Sequence, residues 1–489
     1  MATRLTTILV AVIVGATFIA GLIVGAQRDD ASGPVDLIIV NGKVYPGGGA
    51  ELQEAVAVRG NQILRVGSNR EVKRLRRAQT VVLDAHGATV LPGLNDTRVQ
   101  LTSGALTLQH LNLSPARTTD DLGTELRQYA EDKPSAPWLL GRNGDAELLA
   151  AANAPARKIL DEAVLDRPVL VTSEDGNVAW ANSKALELAG ITRKTRNPHS
   201  GIVVKDRRTG EPTGVLKDDA VALVSRLVPK PTRGEKLASL RAAIEEANRL
   251  GITSVHSVSP TPEEIELLDE IRKDGGLAVR VYASIAVPPT VSEAQVLELN
   301  KLRDEFPDDP ALKLGGVTVM CPCDAHDIER AVALLDKHDW HVMVQTVNGA
   351  DVHAAVNAFE QAAAANPSPA RERRNRLDES LLADGQARIL FGSNWPAASL
   401  DPRDAIEDAV AGPGDLRNAI DAYTTHAAYA SYDEHRKGTL ARGMLADIVI
   451  LSNDIFESRP ETLRETAVTV TIFDGKIVYQ RTARVSSND

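Results

Sequence analysis

The hydrophobic positions of this chain fall into two patterns, and the first occupies both ends. Runs rich in Val, Ile and Thr surround Gly-containing turns, as in VDLIIVNGKVYP from Val35 and VTVTIFDGKIVYQ at Val468–Gln480. The Asn41-Gly42 pair in the first run is a typical hairpin turn. The pattern predicts a small composite β-sandwich made from both ends of the chain. Its two parts are residues 35–91 and 437–485, followed by a tail at 486–489.

Between these ends, short strand-like segments alternate with stretches of helical periodicity. Gly234–Leu250 is one such stretch, with Leu237, Leu240 and Ile244 spaced three or four residues apart. Alternation of this kind is typical of a parallel sheet with crossover helices, and its extent predicts an α/β fold with a (β/α)8 barrel at residues 92–436. The segments assigned to strands are PWLLGR, RPVLVTS, GITSVHSVS, LAVRVYASI, LKLGGVTVM, HVMVQTV and ARILFGSN.

An almost uncharged apolar run at residues 5–26 is long enough to span a bilayer. We predict a transmembrane signal anchor there, with residues 1–4 in the cytoplasm, a linker at 27–34 and the large domain on the extracytoplasmic side. The alternative is a signal peptide that is cleaved after Val24-Gly25-Ala26, which would give a secreted protein. The membrane is therefore the first predicted partner.

Composition narrows the function classes only slightly. The formal net charge of -11 and the lack of a basic run argue against a nucleic-acid partner. The two cysteines stand close together as Cys321 and Cys323, so no dispersed disulfide framework is expected. No G-x-S-x-G elbow, phosphate-binding loop or dinucleotide fingerprint occurs in the chain.

Several motifs carry a resemblance to a known family. They are LPGLNDTRVQL at Leu91–Leu101, EDGNVAWANSKALELAGI at Glu174–Ile191, GEPTGVLKDDA at Gly210–Ala220, GITSVHS and FGSNWPAASLDP. Across almost all of Val35–Gln480 the chain resembles the amidohydrolase superfamily, most closely the YtcJ-like branch, amidohydrolase family 3. The resemblance implies a barrel flanked by a β-sandwich. It also implies hydrolysis of N-acyl and formamide-type C–N bonds by metal ions held at the carboxyl ends of the strands.

The positions where the resemblance places the metal ligands carry other residues here. The first-strand histidine pair is replaced by Arg98 and Gln100, and Asn394 stands in place of an aspartate. Arginine stays protonated and an amide is a poor zinc ligand, so this set does not predict a metal site. The full set of degenerate site positions, including one further histidine position at Asn177, is Arg98, Gln100, Asn177, Gln345, Glu379 and Asn394.

Five groups remain that could serve a divergent active site. Lys217 is a loose counterpart of the carbamylated lysine that some family barrels contain, and His256 reads more readily as a hydrogen-bonded barrel residue than as a ligand. If the protein is active, Glu379 is the candidate base and Arg98 the oxyanion stabiliser, with Asp96 and His256 beside them. Arg98 and Glu379 are also predicted to form an ion pair across the barrel mouth.

From these replacements we predict a catalytically inactive amidohydrolase-like protein. It would bind a small polar ligand or act as a structural subunit of a membrane-associated protein complex, with no metal cofactor. The alternative is a divergent hydrolase of amide or formamide C–N bonds, which would require zinc or another divalent metal.

Overall fold

The computed structural model describes residues 34–145, 147–148, 155–306, 309–321, 324–346, 348–377, 380–383, 386–412 and 414–481. The predicted anchor at 5–26 and the candidate Glu379 lie outside these residues. Among the helices that the structure does describe, none combines the length and the apolar character needed to cross a bilayer.

The strands follow the two patterns of the sequence. In chain order they are β1 (Leu37–Val40), β2 (Lys43–Val44), β3 (Ala55–Arg59), β4 (Gln62–Gly67), β5 (Val81–Asp84), β6 (Thr89–Pro92), β7 (Leu94–Val99), β8 (Leu111–Asn112), β9 (Leu139–Arg142), β10 (Val169–Thr172), β11 (Val178–Ala181), β12 (Gly201–Lys205), β13 (Pro212–Asp218), β14 (Ile252–Val258), β15 (Arg280–Val287), β16 (Leu312–Met320), β17 (His341–Gln345), β18 (Asn375–Leu377), β19 (Ser380–Ala383), β20 (Gln386–Ile389), β21 (Ile448–Leu451), β22 (Val468–Phe473) and β23 (Lys476–Gln480).

Most long helices begin at a polar side chain that accepts a hydrogen bond from the first turn. Thr232 and Thr261 do so in capping boxes with the glutamates three residues later, an arrangement typically worth about 1 kcal/mol. The helices are α1 (Asn69–Lys73), α2 (Leu101–Thr107), α3 (Thr119–Asp132), α4 (Ala156–Ala163), α5 (Ser183–Leu188), α6 (Ala222–Ser225), α7 (Arg233–Arg249), α8 (Pro262–Lys273), α9 (Glu293–Glu305), α10 (Ala325–Lys337), α11 (Gly349–Ala365), α12 (Pro402–Ala411), α13 (Leu416–Tyr423) and α14 (Thr425–Ala430), with a 3-10 helix at Pro460–Glu465.

Two sheets built from both ends of the chain face each other. A four-stranded sheet has the order β4-β3-β1-β5, and a five-stranded sheet has the order β2-β6-β21-β22-β23. The antiparallel pairing of β6 with β21 sets Leu91 opposite Val449 and so joins the two ends directly. Their apolar side chains form one core, which includes Ile39, Val58, Val90, Ile450 and Ile472. The exact domain boundaries stay predictions.

The central sheet has eight strands in the order β20-β19-β18-β17-β16-β15-β14-β7. Among the described residues, six of these strands, from β7 through β18, run parallel to one another. An extended segment at residues 391–395 returns to the far edge of the sheet. There the Asn394 amide donates to the Arg98 carbonyl (2.8 Å) and the Gln100 amide donates to the Trp395 carbonyl (2.9 Å). We call residues 391–395 the closing segment.

The mixed α/β fold with a parallel sheet is confirmed, but the described residues give a half-barrel sheet of six parallel strands where the sequence predicted eight. After β18, the chain turns into the antiparallel strands β19 and β20. A parallel neighbour needs a crossover of about a dozen residues or more, usually including a helix. The stretch between Leu377 and Phe391 leaves no room for such a crossover and a further strand.

Two segments that the sequence analysis assigned to the barrel belong to a separate sheet. PWLLGR forms β9 and RPVLVTS forms β10, within a six-stranded sheet of order β12-β13-β11-β10-β9-β8. The first three strands, β8, β9 and β10, are parallel, whereas β10 turns tightly into antiparallel β11. We call this unit the inserted sheet. It has its own apolar core, which includes Leu122, Leu160, Val171 and Trp180.

A buried ion pair ties the central sheet to the composite β-sheets. The Arg280 guanidinium, at the start of β15, donates through Nε and Nη2 to the two carboxylate oxygens of Asp447 at 2.6 and 2.9 Å. Arg280 is 4% exposed and Asp447 is 5% exposed. Arg280 Nη2 also lies 2.9 Å from Asp474 Oδ1, in the turn between β22 and β23. The charge is therefore compensated on both sides of the contact.

Candidate functional site

Four of the degenerate site positions meet in one small cavity. Arg98 lies near the end of β7, Gln100 directly follows that strand, Gln345 ends β17, and Asn394 lies in the closing segment. All four line a cavity of about 120 Å³. The carboxyl ends of parallel strands gather at this end of the sheet, which is where barrel enzymes place their catalytic groups. We call this cavity the barrel mouth. The sequence motifs therefore located one site in space, while the function of these residues stays a prediction.

Asp96 holds the two walls of the barrel mouth together. Its carboxylate is fully buried, and Oδ1 accepts hydrogen bonds from the backbone amides of Arg98 and Ser393, each at 3.0 Å. One oxygen thus joins β7 to the closing segment. We therefore infer a positioning role for Asp96, while the catalytic role considered from sequence stays a prediction.

The closing segment approaches β7 so closely that its backbone demands special residues. A Cβ added to Gly392 would lie 2.5 Å from the Cβ of Arg98, far inside van der Waals contact. Asn394 has φ +54°, a left-handed conformation that asparagine adopts more readily than most residues. Gly392 and Asn394 of the FGSN sequence therefore have a structural role, which is to let the closing segment pack against Arg98, and this role does not require a ligand or a metal.

His256 does not reach the barrel mouth as a free ligand. It is 1% exposed, and its Nδ1 lies 3.2 Å from Nη1 of Arg376, which can only donate. Burial, with the Arg376 charge next, holds the pKa of His256 well below its ordinary value. The neutral ring must therefore accept at Nδ1 and carry its proton on Nε2, and the ring also forms a hydrogen bond with the backbone of Ala427. Neither nitrogen offers a lone pair to a metal, so the structural alternative for His256 is favoured.

Lys217 and Asn177 lie elsewhere, on the inserted sheet. Lys217 is on β13 opposite Val178 of β11, and its side chain is exposed. The Asn177 side chain is also exposed and donates to Asp175 at 2.9 Å. Neither residue lines the barrel mouth, which corrects both assignments. Both assignments came from the family resemblance alone, whereas the structure places Lys217 on β13 and Asn177 directly before β11, two strands that pair antiparallel in the inserted sheet.

Glu379 lies outside the described residues, so its ion pair with Arg98 stays a prediction. Five other residues that the sequence motifs do not indicate also line the barrel mouth. These are Val258, Ser259, Thr318, Met320 and Met343. Strand alternation could have found some of them, because Thr318 and Met320 stand two residues apart at the end of β16 and share a face.

The lining of the barrel mouth does not suit a zinc ion. Its described polar groups are the Arg98 guanidinium, the amides of Gln100, Gln345 and Asn394, and the hydroxyls of Ser259 and Thr318. Zinc sites in proteins use thiolates, imidazoles and carboxylates. Within the part of the chain that the structure describes, no group of three or more His, Cys, Asp or Glu side chains could hold a metal. The described residues here can instead offer a ligand a cation, amide and hydroxyl hydrogen bonds, and thioether contacts.

Comparisons with known proteins bear on the whole chain. A sequence model described as "Amidohydrolase family" matches residues 81–389 and 380–479. "Putative amidohydrolase YtcJ" of Bacillus subtilis is 25% identical over 88% of this chain and 96% of its own length. "Protein LONG AFTER FAR-RED 3" of Arabidopsis thaliana is 24% identical, covering 91% of each chain. "N-substituted formamide deformylase" of Arthrobacter pascens is 23% identical over 91% and 99%.

Solved structures support the fold. An uncharacterised metal-dependent hydrolase from Pyrococcus furiosus superposes with a TM-score of 0.64 at 18% identity, covering 87% of this chain and 99% of that one. Its counterpart from Pyrococcus horikoshii also gives 0.64, at 17% identity. At these identities the likeness establishes a shared architecture.

Proposed function

Because this chain belongs to the amidohydrolase family, we propose that it is a member that binds a small polar ligand at the barrel mouth without hydrolysing it. One observation carries the proposal. Four positions where the family resemblance expects metal ligands meet in a single cavity, and they carry one arginine and three amides. All four residues of this one site therefore differ from the metal ligands that the family resemblance expects.

The chemistry of these four side chains explains why hydrolysis is not expected. A hydrolase of this kind needs a Lewis acid to polarise the carbonyl and a base or metal-bound hydroxide to attack it. Asn394 has the size of aspartate but no charge, so it can neither accept the proton of an attacking water nor hold a cation well. The guanidinium of Arg98 adds positive charge where a metal cation would sit.

The same side chains suit binding. Arg98, Gln100, Gln345 and Asn394 can donate hydrogen bonds to oxygen atoms of a ligand, while Met320 and Met343 add apolar contact. A volume of about 120 Å³ fits a molecule of a few heavy atoms, or one polar group of a larger molecule. The hydrogen bonds of Asp96 and the close approach at Gly392 hold the two walls together, which supports a site that needs little rearrangement to bind a ligand.

A divergent C–N hydrolase is the second candidate, favoured by the likeness to a protein named for formamide deformylation. In that case Glu379 would act as base and Arg98 would stabilise the oxyanion, with zinc or another divalent metal bound through groups beyond the lining described above. The two candidates differ in one testable property, which is turnover.

The turnover test uses the full-length chain with N-benzylformamide and an N-acetyl amino acid, with and without added zinc or manganese. We expect no product above the buffer rate. Product formation that depends on enzyme concentration and falls in the Arg98→Gln variant would favour the hydrolase. The Arg207→Gln variant, which changes an exposed arginine in the turn between β12 and β13, is the matched control.

We also propose that residues 5–26 anchor the protein in the cell membrane, with the large domain outside the cytoplasm and within a membrane-associated protein complex. The support is the apolar run itself. Extraction of membranes at alkaline pH should leave the full-length chain in the pellet, and protease added to intact cells or spheroplasts should digest the large domain. Release into the soluble fraction would contradict the anchor and favour the secreted alternative.

A further inference from the structure

A second cavity, much larger than the barrel mouth, lies between the inserted sheet and the helices that flank the central sheet. Its volume is about 560 Å³, within the range of small-molecule sites. One wall comes from the ends of β8 and β9, a second from the end of α7, and a third from residues 395–401 after the closing segment. We call it the lateral crevice. It shares no lining residue with the barrel mouth.

Arg142, the last residue of β9, is the unusual group in this crevice. It is half-buried, and among the described residues its Nε has no hydrogen-bond partner although that atom is out of contact with water. Burial lowers the pKa of Arg142, with the Glu246 carboxylate acting in the opposite direction. A guanidinium withdrawn from water without a close counter-charge is costly, which is why such groups are usually paired.

The other inner charges of the crevice already have partners. Glu246 accepts from Arg249 at 2.6 and 2.7 Å. Asp401 accepts from Arg403 at 2.8 and 3.0 Å through the guanidinium Nε. These two pairs are each neutral overall, so among the described residues of the inner lining Arg142 is the cation that has no paired carboxylate. Asp145, Glu174 and Arg117 are exposed residues at the rim, and Arg117 Nη1 donates to the Ser114 carbonyl at 3.1 Å.

The sheet topology independently marks this edge as a place for a ligand. β8, β9 and β10 are parallel, so their carboxyl ends bring Asn112, Arg142 and the loop with Glu174 to one edge of the sheet. Ligands of open α/β sheets bind at such edges. The edge is also ordered: Asn143 Nδ2 donates to Asn112 Oδ1 at 2.9 Å. A Cβ on Gly144 would lie 2.7 Å from the Trp180 ring, so the chain after Arg142 fits tightly on the sheet.

We propose that the lateral crevice binds a small organic monocarboxylate, whose carboxylate pairs with Arg142 and whose apolar part contacts Leu250 and Leu400. A guanidinium matches the two oxygens of a carboxylate with two parallel hydrogen bonds. At the rim the two carboxylates of Asp145 and Glu174 outnumber the single guanidinium of Arg117, which disfavours a polyanion such as a free phosphate. The site is separate from the proposed function at the barrel mouth and does not depend on it.

Equilibrium dialysis of the full-length chain in detergent, with radiolabelled butyrate as the probe, tests this site. Butylammonium and butanamide are the charge-reversed and neutral probes, and detergent alone is the blank. We expect saturable binding of butyrate and weaker binding of the other two. The Arg142→Gln variant should weaken butyrate binding about tenfold or more, as expected for loss of a charge-assisted pair. The matched Arg207→Gln variant should leave it unchanged.

A second variant tests the opposite wall. Ala398 is exposed at the rim of the crevice, so Ala398→Trp should fold normally, fill the crevice and block butyrate. Unchanged affinity in both Arg142→Gln and Ala398→Trp, or no saturable butyrate binding to the folded wild-type chain, would overturn the proposal. Loss of binding in Arg98→Gln alone would also overturn it, because butyrate would then sit in the barrel mouth.

Discussion

The buried ion pair of Arg280 offers the sharpest test of how the central sheet is joined to the composite β-sheets. In Arg280→Met the side chain keeps its bulk but loses its charge, which leaves Asp447 buried without its cation. Two hydrogen bonds at 2.6 and 2.9 Å and a third to Asp474 at 2.9 Å are lost. Because Arg280 and Asp447 are 4% and 5% exposed, water cannot replace them easily. Breaking such a pair on one side typically costs about 3–5 kcal/mol.

A matched control lies on the surface of the same protein. Arg241 pairs with Asp274 at 2.9 Å, but the two side chains are 40% and 59% exposed. Solvent screening limits such a pair to about 0–1 kcal/mol, so Arg241→Met should change stability little. The double variant Arg280→Met/Asp447→Leu removes both buried charges and should recover part of the loss.

The assay is urea unfolding of the full-length chain in detergent, followed by tryptophan fluorescence. We expect a large fall in the unfolding midpoint for Arg280→Met, a smaller fall for the double variant and almost none for Arg241→Met. Equal, small effects of Arg280→Met and Arg241→Met would refute the reasoning, because they would show that the Arg280 charge is solvated in the folded protein.

Three further predictions concern the site and the buried titratable groups. The Asp96→Asn variant keeps an acceptor oxygen for the two backbone amides and should lower the free energy of unfolding by about 1–2 kcal/mol. Asp96→Ala removes the acceptor and should lower it by about 3–5 kcal/mol in the same assay. Equal losses of stability in the two variants would contradict the positioning role of Asp96. Burial lowers the pKa of Lys437 from 10.5 to about 8, so between these pH values the unfolded chain binds more protons than the folded protein. The free energy of unfolding should therefore rise with pH between about pH 8 and 10.5. The Lys437→Met variant should show a smaller rise, and identical pH profiles of the variant and the wild type would contradict the prediction. The pKa of His256 is also depressed by burial, so the native protein should lose stability as the pH falls below about 6.5, and His256→Gln should lose less over that range.

The sequence located the barrel mouth better than it located the barrel. Arg98, Gln100 and Asn394 stand in motifs whose spacing is set by the close contact between β7 and the closing segment, so the motif survives even where the chemistry changes. Lys217 was misplaced for a different reason. It was chosen as a loose counterpart of a family lysine, and a motif match does not report which sheet a strand joins. In the structure β13 belongs to the inserted sheet.

The number of strands in the central sheet could not be predicted from the sequence either. Counting apolar segments suggested eight strands, although two of them belong to the inserted sheet and the chain before Phe391 is too short for another crossover. Arg142 shows the same limit for the lateral crevice. The sequence indicated that Arg142 ends a strand. That its Nε has no hydrogen-bond partner among the described residues depends on packing against α7, which lies about a hundred residues further along the chain.

The metal content of the full-length chain, purified in detergent without chelators and measured by elemental mass spectrometry, tests the central claim most directly. The claim is that the barrel mouth binds a ligand without a catalytic metal. We predict close to zero zinc, manganese, iron, cobalt and nickel per chain. About one or two tightly held ions per chain would contradict the claim, since an ion retained through purification requires a coordination sphere that Arg98 and the three amides do not supply.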